Sequence, residues 1–248
     1  LANATTSTAT PELSLLDNPS LHVLVACPIC GGQLGASRMI PGSYRKQEVP
    51  YATCPDCTVA VQNPMRVLDY AGGEYRRVVH MGRGGVRDSV LAGQERHAKL
   101  ALAFIAPRLG SVERHLDIGS GAGTLLRRAK EVWGCDGVGV EVDLDYLSYA
   151  GERGIASSSE WPDGPFDLVT IVHTLEHMPD PVGTLRMIRE RLAGYLYVEV
   201  PADEYDIVHP FIFNERSLRM ALLEAGLELV EIESSRDIRA WARRANAA

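Results

Sequence analysis

The sequence predicts an α/β protein, a parallel sheet wrapped by helices, with a small metal-binding ribbon in front of it. Three observations predict this. From about residue 111 short apolar runs of strand type alternate with stretches of helical period, the order that builds parallel sheets. Two Cys-Pro-x-Cys turns, "CPIC" at Cys27 and Cys30 and "CPDC" at Cys54 and Cys57, precede that alternation. A glycine-rich loop, "HLDIGSGAGTLL" from His115 to Leu126, joins its first strand to its first helix.

A chain of 248 residues is long enough to bury one large core and carry an appendage. Its net charge of -7 offers no broad basic surface, which disfavours nucleic acid as a partner. No run of about 18 apolar residues suggests a membrane span, and "LANATTSTATPELSLL" lacks the basic start and apolar centre of a secretory signal. The reading is therefore cytoplasmic. The expected division is a flexible tail over 1–20, a zinc ribbon over 21–64, a helical connector or lid over 65–110, and a ligand-binding α/β domain over 111–248.

Each cysteine turn points two sulfurs at one place, and two turns supply the four thiolates of a tetrahedral zinc site. Gly31 and Gly32 suit the tight backbone of a knuckle. Disulfides are disfavoured in a cytoplasmic chain, and iron in a rubredoxin-like site is the minor alternative. Four protein ligands leave no open coordination position, so this metal is expected to be structural. Cys135, behind Trp133, reads as a small buried residue. Between the turns, "YRKQEVPYATC" carries the strand formers of a ribbon that folds on its metal. "MGRGGVRD", from Met81 to Asp88, reads as a mobile connection rather than a phosphate loop, because no strand precedes it.

From Gln94 the period is helical, with Ala98, Ala101, Leu102 and Ile105 on one face and Pro107 as the stop. "VERHLDI" then reads as a strand, and Ala122 to Trp133 as a helix burying Leu125, Leu126, Ala129 and Val132. "GVGVEV" is a strand, Leu144 to Glu152 a helix, and a brief strand lies near Ile155. "FDLVTIV" is a strand, Val182 to Leu192 a helix and "YLYVEV" a strand. Asn214 caps a helix carrying Leu218, Leu222 and Ala225, Gly226 ends it, and "LELVEIES" follows as a strand. Ile238 to Arg244 is expected as an edge strand antiparallel to its predecessor.

A dinucleotide fingerprint sets its third glycine three residues after the second, packing the helix on the strand beneath a pyrophosphate. Here Gly119, Gly121 and Gly123 bring it one residue early, and Asp117 adds a carboxylate that suits a cationic group. Glu141, at the end of the next strand, is placed to accept ribose hydroxyls. A ligand with both a ribose and a positive charge is S-adenosylmethionine.

These motifs resemble those of the class I S-adenosylmethionine-dependent methyltransferases. "HLDIGSGAG" is similar to the family's first motif and "GVEVD" to its second. "PFDLVTIVHTLEHMPDP" resembles its fourth-strand segment, and "LYVEVP" with "HPFIFNERSLRMALLEAGLELV" its C-terminal part. "CPDCTVAVQNP", followed by Tyr70 and Tyr75, resembles the subgroup with an N-terminal zinc ribbon, many of whose members act on sugars or natural-product intermediates. The resemblance implies a Rossmann-like sheet of seven strands, mostly parallel, with the last reversed. The expected cofactor contacts are Asp117, Gly119, Ser120, Gly121, Gly123, Glu141, Val142, Ser158, His173 and Thr174. The family often has an acid after the third strand that meets the adenine amine; "ASSSEWP" offers Ser158, Ser159 or Glu160 instead, with Trp161 to pack on the ring.

Methyl transfer is an in-line displacement on a methyl already activated by the sulfonium, so the enzyme aligns the nucleophile and manages its proton. Ligands of open α/β sheets bind at the carboxyl ends of the strands, which singles out His173, Glu176, His177 and His209. His177 and His209 are the catalytic candidates, as base or acceptor contact, against a pocket-shaping reading of the same rings. "HTLEH" with a distant His also resembles in part the metal site of the ubiquinone-pathway and small-RNA 3′-end O-methyltransferases, His173 standing where they have a glutamate. That implies a second, catalytic metal as an alternative. Glu199 and Asp203 read more readily as solvated acids than as substrate contacts. The expected function is methylation of a small hydroxylated acceptor, such as a nucleotide-linked sugar, glycan or natural-product intermediate. Its rivals are a non-catalytic zinc-ribbon binding module beside a degenerate methyltransferase domain, and an NAD-dependent oxidoreductase.

Overall fold

The computed structural model describes residues 21–43, 47–79 and 85–245. The expected tail, residues 44–46 of the ribbon and residues 81–84 of the glycine-rich connection lie outside the described residues. Five short strands come first: β1 (Leu21–His22), β2 (Arg38–Pro41), β3 (Glu48–Thr53), β4 (Ala60–Gln62) and β5 (Met65–Arg66). β1 pairs antiparallel with β5, and β3 pairs antiparallel with both β2 and β4. Helices α1 (Glu74–Val79) and α2 (Asp88–Ile105) follow. α2 buries the predicted stripe of Ala98, Ala101, Leu102 and Ile105, and Pro107 lies in the 3-10 turn that ends it.

The alternation then runs β6 (Arg114–Ile118), α3 (Thr124–Trp133), β7 (Asp136–Val140), α4 (Leu144–Gly151), β8 (Ser157–Ser158), β9 (Phe166–Val172), α5 (Pro181–Arg191) and β10 (Leu192–Pro201). β11 (Phe211–Ile212), α6 (Glu215–Glu224), β12 (Leu227–Ser234) and β13 (Asp237–Arg244) close the chain. The main sheet has seven strands in the order β12, β13, β10, β9, β6, β7, β8. β6 to β10 within it are parallel, and β13 is antiparallel to both of its neighbours. Its apolar core includes Leu116 and Ile118 of β6, Val169 and Ile171 of β9, and Leu196 and Val198 of β10.

Two local expectations change. The final strand is not at an edge: β13 lies between β10 and β12, with Ile238, Ala240, Trp241 and Ala242 all buried and Trp241 stacked on Tyr195 at 4.8 Å. The edge belongs to β12, whose mostly solvent-facing residues suit it. Val132 is 51% exposed, and Trp133, one position further round α3, packs against the core instead. α3 also starts later than expected, at Thr124, because Gly123 is left-handed at its N-cap with φ 74°.

β11 was not foreseen. It pairs antiparallel with β4, so the ribbon's sheet is completed by a strand from the segment that follows β10. Among the described residues no helix is long and apolar enough to cross a membrane.

Candidate active site

A cleft of about 860 Å³ opens at the carboxyl ends of β6, β7, β9 and β10. The glycine loop forms its floor. Gly119 and Gly121 have φ of 69° and 53°, and a Cβ on either would fall within 2.3 Å of Thr174 or 2.4 Å of Gln94. Gly119 donates to the Val140 carbonyl at 2.8 Å, and Ala122 donates to the Gln94 side-chain carbonyl at 3.1 Å.

Asp117 is 4% exposed and accepts the Thr170 hydroxyl proton at 2.7 Å. Burial pushes its carboxyl up to about 7, the Thr170 hydrogen bond working against this and the Glu141 charge adding to it. The Thr170 oxygen in turn lies 2.8 Å from His115 Nε2, so that nitrogen carries the proton; burial holds His115 down at about 3, hence neutral. Glu141 accepts from the amides of Gly121, Val142 and Asp143 at 2.8, 2.7 and 2.8 Å. Burial raises its pKa despite these donors, and Oε2 retains room for one more donor.

At the other end of the cleft, Glu176, His177 and His209 present one ligand atom each within 4.8 Å of one another. His177 donates from Nδ1 to the Val208 carbonyl, and His209 from Nδ1 to the Glu204 carbonyl, both at 2.7 Å. In its neutral form each ring therefore keeps its lone pair on Nε2. Burial and the nearby His209 hold His177 down at about 3. Glu176 is 2% exposed, and among the described residues neither of its oxygens has a hydrogen bond. Burial raises its pKa. Tyr70 and Tyr75 stack on each other at 5.3 Å and meet the His177 ring edge-on, walling this end. Arg76 of α1 pairs with Asp143 and Asp145 at the start of α4, fastening α1 beside Glu141.

His173 lies beside that group, its Nδ1 3.8 Å from Glu176 Oε1, but its hydrogen bond goes elsewhere. It bonds Glu199 through Nε2 at 3.2 Å, and His97 meets the same Glu199 oxygen at 3.2 Å. The other Glu199 oxygen takes Tyr197 at 2.5 Å and Arg239 at 2.9 Å. Burial of Glu199 favours the neutral acid, but these hydrogen bonds outweigh it and hold the carboxylate well below its usual range. Burial also opposes charge on His173, yet its bond to Glu199 and the charges of Glu176, Glu199 and Asp237 raise its pKa.

The chain matches the family profile described as a methyltransferase domain over residues 91–247. The chain belongs to the methyltransferase domain family. A comparison with curated proteins finds no match. Among solved structures it is similar to a chain of the complex between a methyltransferase activator and a putative methyltransferase of Haloferax volcanii (TM-score 0.55, 19% identity, 64% of this chain and 95% of that one). It is also similar to magnesium protoporphyrin IX methyltransferase of Synechocystis PCC 6803, whose structure holds bound S-adenosylmethionine (TM-score 0.53, 15% identity, 71% and 92%). A third is an S-adenosylmethionine-dependent methyltransferase of Clostridium acetobutylicum (TM-score 0.52, 10% identity, 71% and 98%). At such identities these likenesses are of fold. The family assignment makes the chain a methyltransferase enzyme.

In this methyltransferase Asp117, Gly119, Ser120, Gly121, Glu141, Val142, His173 and Thr174 all line the cleft, as do His177 and His209. Gly123 does not: it starts α3, where a Cβ would strike Ile155 at 2.6 Å. Ser158 is exposed and gives its hydroxyl to the Glu160 carbonyl, leaving Ser159 and Trp161 on the cleft wall. Glu199 is fully buried rather than a solvated acid. Sequence reasoning missed Gln94 and His97. Their signal is two polar residues three apart, one turn of helix, beside the buried stripe of α2.

At the front, Cys27, Cys30, Cys54 and Cys57 converge, with Sγ pairs 3.5 Å apart for Cys27 with Cys57 and for Cys30 with Cys54. That is far beyond a disulfide and close to the ~3.8 Å expected between sulfurs about 2.3 Å from a tetrahedral zinc. Gly31 and Thr58 take the same left-handed turn after the two knuckles, each donating to the carbonyl of the first cysteine at 2.9 Å. A Cβ on Gly32 would lie 2.1 Å from the exposed Asp56 carboxylate, which would have to swing aside to admit one.

Gly119→Ala combines a left-handed backbone with the Thr174 clash and is expected to destabilise the fold by about 1–3 kcal/mol. Urea unfolding measures this, and an unchanged midpoint contradicts the loop geometry.

Proposed function

We propose that this methyltransferase moves the methyl group of S-adenosylmethionine to a hydroxyl of a small acceptor, a glycan or natural-product intermediate in preference to a nucleotide-linked sugar. What carries the reading is that one cleft joins Asp117 and Glu141 at one end to His177 and His209 at the other. The residues fit the cofactor: Oε2 of Glu141 has room for a ribose hydroxyl, and Asp117 is the buried carboxylate for its ammonium group. S-adenosylmethionine supplies a methyl on a positively charged sulfur; the chain supplies alignment and a place for the acceptor hydroxyl at the Nε2 atoms of His177 and His209. Glu176, Glu204 and Asp206 line that end and are unfavourable to a phosphate there, whereas Tyr70, Tyr75 and Met178 offer apolar and aromatic surface to a ring. We also infer that the four cysteines hold a structural zinc ion, and that the described part of the 65–110 connector, residues 65–79 and 85–110, covers the cleft as its lid.

A second reading has its own support. The Glu176 carboxylate, which has no hydrogen bond among the described residues, and the two Nε2 atoms are the donor set of a divalent metal, with His173 hydrogen-bonded to Glu199 instead. Such an ion would lower the pKa of a bound acceptor hydroxyl. Manganese binding to the zinc-loaded protein that vanishes in Glu176→Gln supports it; the absence of manganese binding removes it.

Calorimetry tests the main reading. S-adenosylmethionine is expected to bind wild type, with affinity falling by about tenfold or more in Glu141→Ala. The carboxyl of Asp117 titrates near 7, so it is neutral below that pH and ionised above it. Affinity is therefore expected to weaken as the pH drops from about 8 to about 6, with proton release on binding near the lower end, and Asp117→Asn is expected to flatten the profile. Wild type that does not bind the cofactor at any pH contradicts the reading.

A further inference from the structure

The segment after β10, which carries His209, hangs on the ribbon. The Gln62 amide donates to the Pro210 carbonyl at 2.8 Å, its side-chain amide to that of Ile207 at 3.3 Å, and the Ser43 amide to that of Tyr205 at 2.7 Å. β11 pairs with β4, and Asn214, which caps α6, exchanges hydrogen bonds with Thr58 next to Cys57 at 2.9 and 3.1 Å. At the centre is Tyr51 of β3, 2% exposed, whose hydroxyl lies 2.7 Å from the carbonyls of both Asp206 and His209 and accepts the Asp206 amide at 3.3 Å. β3 runs directly into Cys54, so the cysteine knuckle fixes the strand that bears Tyr51.

That segment also supplies the two carbonyls that orient the cleft's imidazoles. Glu204 receives Nδ1 of His209 and Val208 receives Nδ1 of His177. If the backbone over 204–208 shifts, both rings lose the acceptor that keeps their proton on Nδ1 and their lone pair on Nε2.

We propose that the ribbon is the positioning element of the acceptor end: Tyr51, whose one hydroxyl proton is shared between the Asp206 and His209 carbonyls, holds His177 and His209 in the tautomer that turns Nε2 toward the cleft. The proposal rests on reading these rings as the acceptor-facing pair. A domain that served only to dock a partner would not need its buried hydroxyl on the backbone of a cleft residue.

The test uses the zinc-replete chain of 248 residues with ¹⁵N-labelled histidine. Tyr51→Phe keeps the ring, which packs edge-on against Tyr205 at 5.0 Å, and removes only the hydroxyl. In wild type both rings are expected as the Nδ1-protonated tautomer in the ¹⁵N spectrum. In Tyr51→Phe that population is expected to fall to about half, while S-adenosylmethionine affinity stays within about twofold. Gln62→Ala, which gives up the contact to Ile207, is expected to move the spectrum the same way by less, and serves alone if Tyr51→Phe does not fold. Wild-type rings protonated on Nε2, or a folded Tyr51→Phe with unchanged tautomers, overturn the proposal. If neither variant moves the tautomers, it is equally overturned. Loss of cofactor binding in wild type would instead strike the functional reading and leave the tautomer result standing.

Discussion

A carboxylate wholly removed from water, that of Glu199, joins the elements that wall the cleft. Desolvating such a charge costs several kcal/mol unless partners meet it. Here they come from four places: His97 from α2, His173 after β9, Tyr197 from its own strand and Arg239 from β13. Each must stay in reach, so the helix before the main sheet, the loop after β9 and the reversed strand are fixed together. His173 accepts a left-handed φ of 48° to do so, with its amide on the Glu199 carbonyl at 2.8 Å. Arg239 of β13 lies opposite Glu199 in the register of the two strands, so this contact ties β13 to β10.

Much of the architecture is legible because it is written locally. β9 and β12 appear where unbroken apolar or alternating runs place them, and the Asn214 cap and Gly226 stop bound α6. The position of β13 is not local. Alternation marks it as a strand but does not say which neighbours it takes, and its burial on both sides depends on β10 and β12 together. Val132 and Trp133 differ by one helical step, and only the shape of the neighbouring core decides which of them is covered.

The cleft divides in the same way. Asp117, Gly119, Gly121 and Glu141 are legible because strand ends and glycine turns have a fixed geometry. Gly123 looks the same in sequence but serves the start of α3, which only its contact with Ile155 reveals. Glu199 sits in "YLYVEV", where an acid normally signals the solvent side, and its partners at 97, 173 and 239 are far away in the chain. His177 and His209 are visible as candidates, whereas the carbonyls that set their tautomers, and the ribbon behind those carbonyls, are not. Ribbon and sheet thus contribute to one cleft: the sheet edge to the end with Asp117 and Glu141, the ribbon through the His209 segment to the end with His177 and His209.

The most direct measurement is a crystal structure with S-adenosylhomocysteine, the product of methyl transfer. The account predicts the ribose hydroxyls on Glu141, the amino group beside Asp117, and the sulfur facing along the cleft toward His177 and His209. A ligand bound with its sulfur turned away from the two imidazoles, or bound outside this cleft, would contradict it.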